Sequence, residues 1–81
     1  MEYHTCLSKH VPERNQHRFY LLSVQPNLFG GWSLIREWGR IGSPGRVRID
    51  LYGSLDRARE AYRRKLQEKQ RRGYGREPYV V

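Results

Sequence analysis

Four stretches of the chain have the alternating or short apolar pattern that is typical of β-strands. They span residues 3–8, 18–25, 32–38 and 46–52. Turn-forming residues separate them, with Pro12 and Asn15 in the first break, PNLFGG in the second and GRIGSPG in the third. Because a parallel crossover needs roughly a dozen residues or more, these short connections predict antiparallel neighbours.

After the fourth stretch the period changes to that of an amphipathic helix. Apolar residues recur three or four positions apart, at Leu55, Ala58, Ala61, Tyr62 and Leu66. Ser54 is suited to cap the N-terminus, and Asp56 interacts favourably with the helix dipole in the first turn. Gly73 is a natural stop after two basic residues. The pattern therefore predicts one helix between Ser54 and Gly73.

The polar face of this helix carries charges of both signs. Glu60 and Glu68 each lie four positions from Arg64, which is the ion-pair spacing of an ordinary solvated helix. The apolar face is then available to cover a sheet. The sequence predicts the α+β class, an antiparallel β-sheet of four to five strands with one amphipathic α-helix packed on it.

The length and charge of the chain narrow its function. We expect residues 1–81 to form a single domain, and so small a domain buries only roughly 60–65% of its unfolded surface, which leaves little room for a deep catalytic cleft. Lys and Arg total 16 against 8 acidic residues, a net charge of +8. Thirteen of the cations are Arg, whose planar fork chelates phosphate and stacks on bases. The composition fits a phosphate-bearing partner, an anionic membrane, or simply a soluble basic surface.

Several classes of protein find no support in the sequence. The single cysteine, Cys6, excludes an intramolecular disulfide, and no apolar run approaches the ~20 residues of a membrane span. His4 and Cys6 share a strand face, but two ligands do not define a metal site. No catalytic Ser, His and Asp set, P-loop or carboxylate pair is recognisable. We expect a cytoplasmic protein without enzymatic activity, cofactor, metal or membrane contact.

The stretch REWGRIGSPGRVRID at residues 36–50 places a large aromatic residue just before a turn. Alternation puts Trp38 on the same strand face as Arg36. Gly39 permits a tight turn or the close approach of a ligand to the backbone, and Arg40 then projects from a loop. From these residues alone, Trp38 is either a platform for a ligand or a core aromatic residue.

The sequence resembles the WGR domain family, which is named for the tripeptide found here as Trp38-Gly39-Arg40. The likeness extends, in order and spacing, to RFYLL at 18–22, LIREWGRIG at 34–42, Gly45, SLDRAREAY at 54–62 and KQRRGY ending at Tyr74. It covers residues 14–76, and an ordered set of motifs is far more specific than a tripeptide.

This resemblance implies a compact antiparallel sheet, usually five-stranded, with a single helix. In poly(ADP-ribose) polymerases such a domain binds DNA near strand breaks; the motif tryptophan packs against the sugar of a terminal nucleotide, and the motif arginine makes polar or interdomain contacts. Those roles fall here on Trp38 and Arg40. The sequence carries no ADP-ribosyltransferase domain and no zinc fingers, so the resemblance transfers the binding surface and not the catalysis.

Other residues are candidate nucleic-acid contacts beside the motif. Arg36 lies on the same strand, and Arg46 and Arg48 emerge together on one face of the next strand, where they suit phosphate contacts. Alternatively, arginines on an edge strand serve to discourage strand pairing. Tyr74 either stacks on a nucleotide or fixes the helix end to the sheet. The resemblance points more weakly to His17, near which the family often has a polar residue.

A second group of cations lies at the C-terminal end of the helix and beyond it. Its members are Arg63, Arg64, Lys65, Lys69, Arg71, Arg72 and Arg76. Cations at this end of a helix complement its dipole, so much of the group has a structural explanation.

The sequence thus predicts a non-catalytic nucleic-acid-binding domain that recognises DNA ends, nicks or gaps through Trp38, Gly39, Arg40 and the neighbouring arginines. Neutralisation of the phosphate backbone with one aromatic contact would give preference for a DNA structure and little base specificity. Two alternatives remain open at this stage. One is a protein-interaction module for an acidic partner, and the other is an RNA-binding domain.

Overall fold

A computed structural model describes residues 3–76 of the protein. The chain forms strands β1 (His4–Val11), β2 (Gln16–Pro26), β3 (Trp32–Arg40) and β4 (Arg46–Tyr52), helix α1 (Leu55–Arg71) and the short strand β5 (Gly75–Arg76). The sheet has the order β4-β3-β2-β1-β5, and every adjacent pair is antiparallel. The predicted α+β class and the packed helix are therefore confirmed, and the sheet has five strands.

The first predicted break, residues 9–17, is mostly strand. β1 and β2 remain paired out to Val11 opposite Gln16. The reversal needs only the 3-10 turn Pro12–Arg14 and Asn15, which adopts the left-handed conformation with φ 49°. Proline and asparagine do mark the turn, but the polar strand ends beside it lack the apolar alternation that reveals a strand.

Helix α1 follows the sequence prediction at both ends. The Ser54 hydroxyl accepts a hydrogen bond from the Arg57 backbone N–H at 3.2 Å, which caps the N-terminus. Gly73, with φ 96°, follows the last turn. On the polar face Glu60 pairs with Arg64 at 3.7 Å, whereas Glu68 pairs with Lys65 and Arg72 and not with Arg64 as expected.

The core lies between α1 and one face of the sheet. Its buried apolar residues are Leu7, Tyr20, Leu22, Val24, Leu34, Ala58, Ala61 and Tyr62. The predicted helix residues Leu55 and Leu66 also pack against this cluster, although each is only partly buried. The buried hydroxyl of Thr5 hydrogen-bonds the Tyr62 hydroxyl, which ties β1 to the helix.

The two faces of the sheet therefore differ, and we call them the helix-bearing face and the open face. Pairing in register places Tyr20, Trp38 and Arg46 side by side on the helix-bearing face. Strand alternation puts the neighbouring residues, including Ile35 and Ile49, on the open face. Within residues 3–76, no helix is both long and apolar enough to cross a membrane.

Two leucines test this division between core and surface. Leu22 is fully buried under α1, whereas Leu28 in the β2–β3 turn is 98% exposed. We expect Leu22→Ala to lower the free energy of unfolding by ~2–5 kcal/mol, because it removes core contacts and leaves a cavity. Leu28→Ala should change it by less than ~0.5 kcal/mol. Urea unfolding of both variants measures the difference, and equal losses would contradict the assigned core.

Candidate nucleic-acid interface

Three cations form a row across the helix-bearing face. Lys9 of β1 lies opposite Arg18 of β2, and Arg18 lies opposite Arg40 of β3. Like charges directly opposite each other on a sheet destabilise it. Burial of these side chains does not compensate for the repulsion, because Arg18 and Arg40 are exposed. Such a row is typical of a surface that binds a polyanion.

The next row contains the motif tryptophan. Trp38 stacks on the ring of Tyr20, with centroids 5.8 Å apart and an angle of 17° between the planes. Tyr20 is only 3% exposed and belongs to the core. Trp38 is partly buried and covers the Tyr20 ring. Trp38 is thus packed on its inner side by a core residue and keeps part of its surface at the molecular boundary.

The end of α1 brings two more groups to the same rings. Lys69 Nζ lies 4.6 Å from the centroid of the Tyr20 ring, a cation–π contact. Tyr74 meets Tyr20 edge-on with centroids 6.1 Å apart. Burial of the Lys69 ammonium lowers its pKa below the ordinary value, with a smaller contribution from the neighbouring charge of Arg72. Tyr74 does fix the chain after the helix to the sheet.

These rows and the helix end enclose a cleft of about 270 Å³, which we call the basic cleft. It is lined by Lys9, Gln16, Arg18, Tyr20, Trp38, Lys69, Arg72 and Tyr74. Four of these residues are cations, and none is a carboxylate. The cleft therefore has aromatic walls and a strongly positive rim.

Arg40 of the motif does not project from a loop as expected, because β3 continues through Gly39 to Arg40, which pairs with Arg18. Arg40 lies at the edge of this region and has an internal partner. Its guanidinium donates to the backbone oxygen of Asn15 at 2.9 Å and to the Asn15 side-chain oxygen at 3.4 Å. These bonds fix the left-handed residue of the β1–β2 turn. Arg40 nevertheless remains exposed and next to Arg18.

Arg36 and Arg48 are anchored by Asp50. The carboxylate accepts from Arg36 Nη2 and from Arg48 Nε, both at 3.2 Å. The Arg36 guanidinium also lies 5.9 Å from the centroid of the Trp38 ring, and its side chain is mostly buried. Arg36 therefore holds the tryptophan in place, whereas Arg48 and Arg46 remain exposed on β4.

Gly39 has a packing role in this structure. A Cβ at Gly39 would lie 3.1 Å from the Cα of Gly45 and 3.5 Å from the Phe19 ring. Gly45 is tighter still, since its Cβ would lie 2.7 Å from both the Phe19 ring and the Trp38 carbonyl oxygen. The glycines let the turn after β3 fold closely onto Phe19.

His17 lies on the open face, away from Trp38. It pairs with His10 across β1 and β2, and their Nδ1 atoms are 3.0 Å apart. The structure thus brings Trp38, Tyr74 and the candidate arginines to one face but does not bring His17 there. No group of three or more potential metal ligands is present among residues 3–76.

Two residues that line the basic cleft were not predicted from the sequence. Lys9 lies in the segment that was expected to be a turn, and Arg18 lies at the start of a predicted strand, where no pattern distinguishes it. Their pairing became visible only with the register of β1, β2 and β3. Lys69 and Arg72 belong to the cations that the helix dipole seemed to explain, yet both line the cleft.

Comparison with known proteins identifies the family of the chain. The WGR domain profile matches residues 3–79, and the chain belongs to the WGR domain family. The uncharacterized protein y4dW of Sinorhizobium fredii is 41% identical over 63 residues, which are 78% of this chain and 31% of that protein. The human protein mono-ADP-ribosyltransferase PARP3 is 22% identical over 80 residues, 99% of this chain and 15% of that protein.

The chain thus spans less than a third of the length of either relative. A WGR domain is a non-catalytic module, and in poly(ADP-ribose) polymerases it is linked to nucleic-acid binding. The transferase activity in the name of the human relative belongs to that whole protein.

The packing at the motif turn can be tested with two glycines. We expect Gly45→Ala to lower the free energy of unfolding by ~1–3 kcal/mol, because the new methyl group overlaps the Phe19 ring and a backbone oxygen. Gly53→Ala is the control, since nothing lies within 4 Å of a Cβ at that position. Thermal melts of the two variants supply the measurement. A Gly45→Ala protein as stable as wild type would mean that the turn does not pack in this way.

Proposed function

We propose that this domain binds DNA through the basic cleft and prefers ends, nicks or gaps to continuous duplex. The observation that carries the proposal is the composition of the cleft. Four cations surround the rings of Tyr20, Trp38 and Tyr74, and no carboxylate is among the lining residues, although Arg72 pairs with Glu68 outside the cleft. Membership of the WGR family supports nucleic acid as the ligand.

Each part of the cleft has a distinct task in this proposal. The cations neutralise and hold backbone phosphates, which supplies most of the affinity and little sequence information. The accessible part of Trp38 packs against a sugar or base, and Tyr20 behind it keeps the indole in position. Arg40 and Arg46, exposed at either side of Trp38, extend the phosphate-binding surface.

The preference for breaks follows from accessibility. In continuous duplex DNA the base faces are stacked on one another, so an aromatic side chain can reach only groove edges and backbone. At an end, nick or gap, a terminal sugar and base become accessible to Trp38 while the flanking phosphates remain available to the cations. The cleft, with a volume of about 270 Å³, is too small to hold a duplex.

The remaining predicted residues have supporting roles. Arg36 positions Trp38 through its contact with the indole ring, and Gly39 shapes the turn that follows. Arg48 contributes charge from the neighbouring strand. His17 lies on the open face and is not part of the proposed site.

The experiment that tests this function is a titration of the purified domain against five ligands of equal length or mass. They are blunt duplex, nicked duplex, single-stranded DNA, closed circular duplex and RNA. We expect tighter binding to blunt and nicked DNA than to closed circles. Preference for RNA would favour the RNA-binding alternative, and no binding to any of the five ligands would contradict the proposal and leave the protein-interaction alternative.

Affinity for DNA should fall steeply with salt. Contacts to about four phosphates, the number of cations in the cleft, imply a loss on the order of a hundredfold between ~50 and ~200 mM salt. Fluorescence anisotropy at several salt concentrations measures this slope. Binding that does not respond to salt would contradict phosphate recognition.

A matched pair of arginines tests the location of the site. Arg18 lines the cleft, whereas Arg57 is exposed on α1 and does not. We expect Arg18→Gln to weaken binding to nicked DNA about tenfold, and Arg57→Gln to weaken it less than about twofold, although both remove one charge. Equal losses would mean that net charge alone drives binding.

A further inference from the structure

The outer edge of β4 can form backbone hydrogen bonds with another strand. Within residues 3–76 no strand pairs with that side of β4, so alternate backbone N–H and C=O groups along Arg46–Tyr52 face solvent. The strand has seven residues and contains neither proline nor glycine. Its apolar side chains lie on the open face, where Val47, Ile49 and Leu51 are 58%, 55% and 64% exposed.

We infer that β4 pairs with β4 of a second copy of this chain, antiparallel and centred on Ile49. Ile49 is the middle residue of the strand, so a two-fold axis through it pairs all seven residues of each copy. Any other register leaves residues at the strand ends unpaired.

The same register also matches the charges. Arg48 of each copy lies opposite Asp50 of the other, so two pairs of opposite charge form on the helix-bearing face. On the open face, Val47 of each copy lies opposite Leu51 of the other, with the two Ile49 side chains adjacent on the axis. Arg48 is therefore complementary to this strand, whereas Arg46 lies opposite the uncharged Tyr52.

Shifted registers match the charges less well. A shift of two residues in one direction keeps two opposite-charge pairs, Arg46 with Asp50, but places Arg48 opposite Arg48, and a shift in the other direction places Asp50 opposite Asp50. Like charges directly opposite are destabilising on a sheet. Maximum overlap and charge complementarity thus select one register.

The helices leave room for this pairing. A two-fold axis perpendicular to the sheet puts both copies of α1 on the same side of a continuous ten-stranded sheet. Helix α1 packs over β2, β3 and β4 and is therefore centred on β3. The two β3 strands are then three strand spacings apart, about 14 Å, which exceeds the ~8–10 Å separation of packed helices. Because only seven residues of each copy meet, the dimer is weak, with a dissociation constant in the micromolar range or above.

Sedimentation equilibrium from ~10 μM to ~1 mM protein tests the inference, with ~0.3 M salt to screen the net charge of +8 on each copy. We expect a monomer–dimer equilibrium for wild type. Arg48→Asp and Asp50→Arg should each be monomeric, because each puts like charges opposite one another twice. Their equimolar mixture should form a heterodimer with both charge pairs restored.

Arg57→Asp is the control, since it makes the same change of charge at an exposed position of α1 and should leave the dimer intact. A monomeric wild type over the whole range, or an Arg48→Asp variant that dimerises as wild type does, would overturn the inference. Because Asp50 also binds Arg36, circular dichroism checks that each variant is folded.

Wild type alone gives a second readout if Asp50→Arg fails to fold. Hydrogen exchange of the outward-facing β4 amides should slow as protein concentration rises, while exchange of other exposed amides stays constant. Exchange at β4 that is independent of concentration would overturn the inference. These measurements contain no nucleic acid, so their outcome is independent of the proposed DNA binding.

Discussion

The stacking of Trp38 on Tyr20 is the contact on which the rest of the site depends. Tyr20 is part of the core under α1, and its ring is in contact with Trp38, Tyr74 and Lys69 at once. A residue from β3, one from the helix and one that follows it are therefore fixed relative to one another by a single buried ring. Because aromatic pairs have preferred geometries, this arrangement gives the cleft a defined shape.

The same arrangement brings like charges close together, which destabilises the folded domain. The row formed by Lys9, Arg18 and Arg40 opposes folding, and burial beside the aromatic rings disfavours the charged form of Lys69. The hydrophobic contacts between α1 and the sheet offset that cost. If the proposed function is correct, a bound polyanion would reduce this repulsion and stabilise the folded domain.

The sequence patterns were sufficient to predict the fold class because each pattern describes one local element. The alternation of β3 and β4 and the helical period after Ser54 each encode one element, and the capping hydroxyl marks its start. Polar strand ends carry no such signal, which is why β1, β2 and β3 are longer than predicted. The motif tripeptide lies beside the basic cleft, but its glycine and arginine have internal partners that a linear motif does not reveal.

The basic cleft was less predictable because its residues come from four separate elements. Lys9, Arg18 and Trp38 are adjacent only through strand register, and Lys69 joins them through the angle of the helix. His17 was a candidate from the sequence, but it directly precedes Arg18 on β2. Because adjacent residues of a strand lie on opposite faces of the sheet, His17 lies on the open face. The composition of the basic cleft is thus a property of tertiary structure.

Mapping of amide and indole NMR signals during titration with a nicked duplex tests the central claim most directly. The account predicts that the largest shifts occur at Lys9, Arg18, Lys69 and the Trp38 indole N–H, while Ile35 and Ile49 on the open face remain unchanged. Shifts concentrated on the open face, or spread evenly over all exposed arginines, would contradict it.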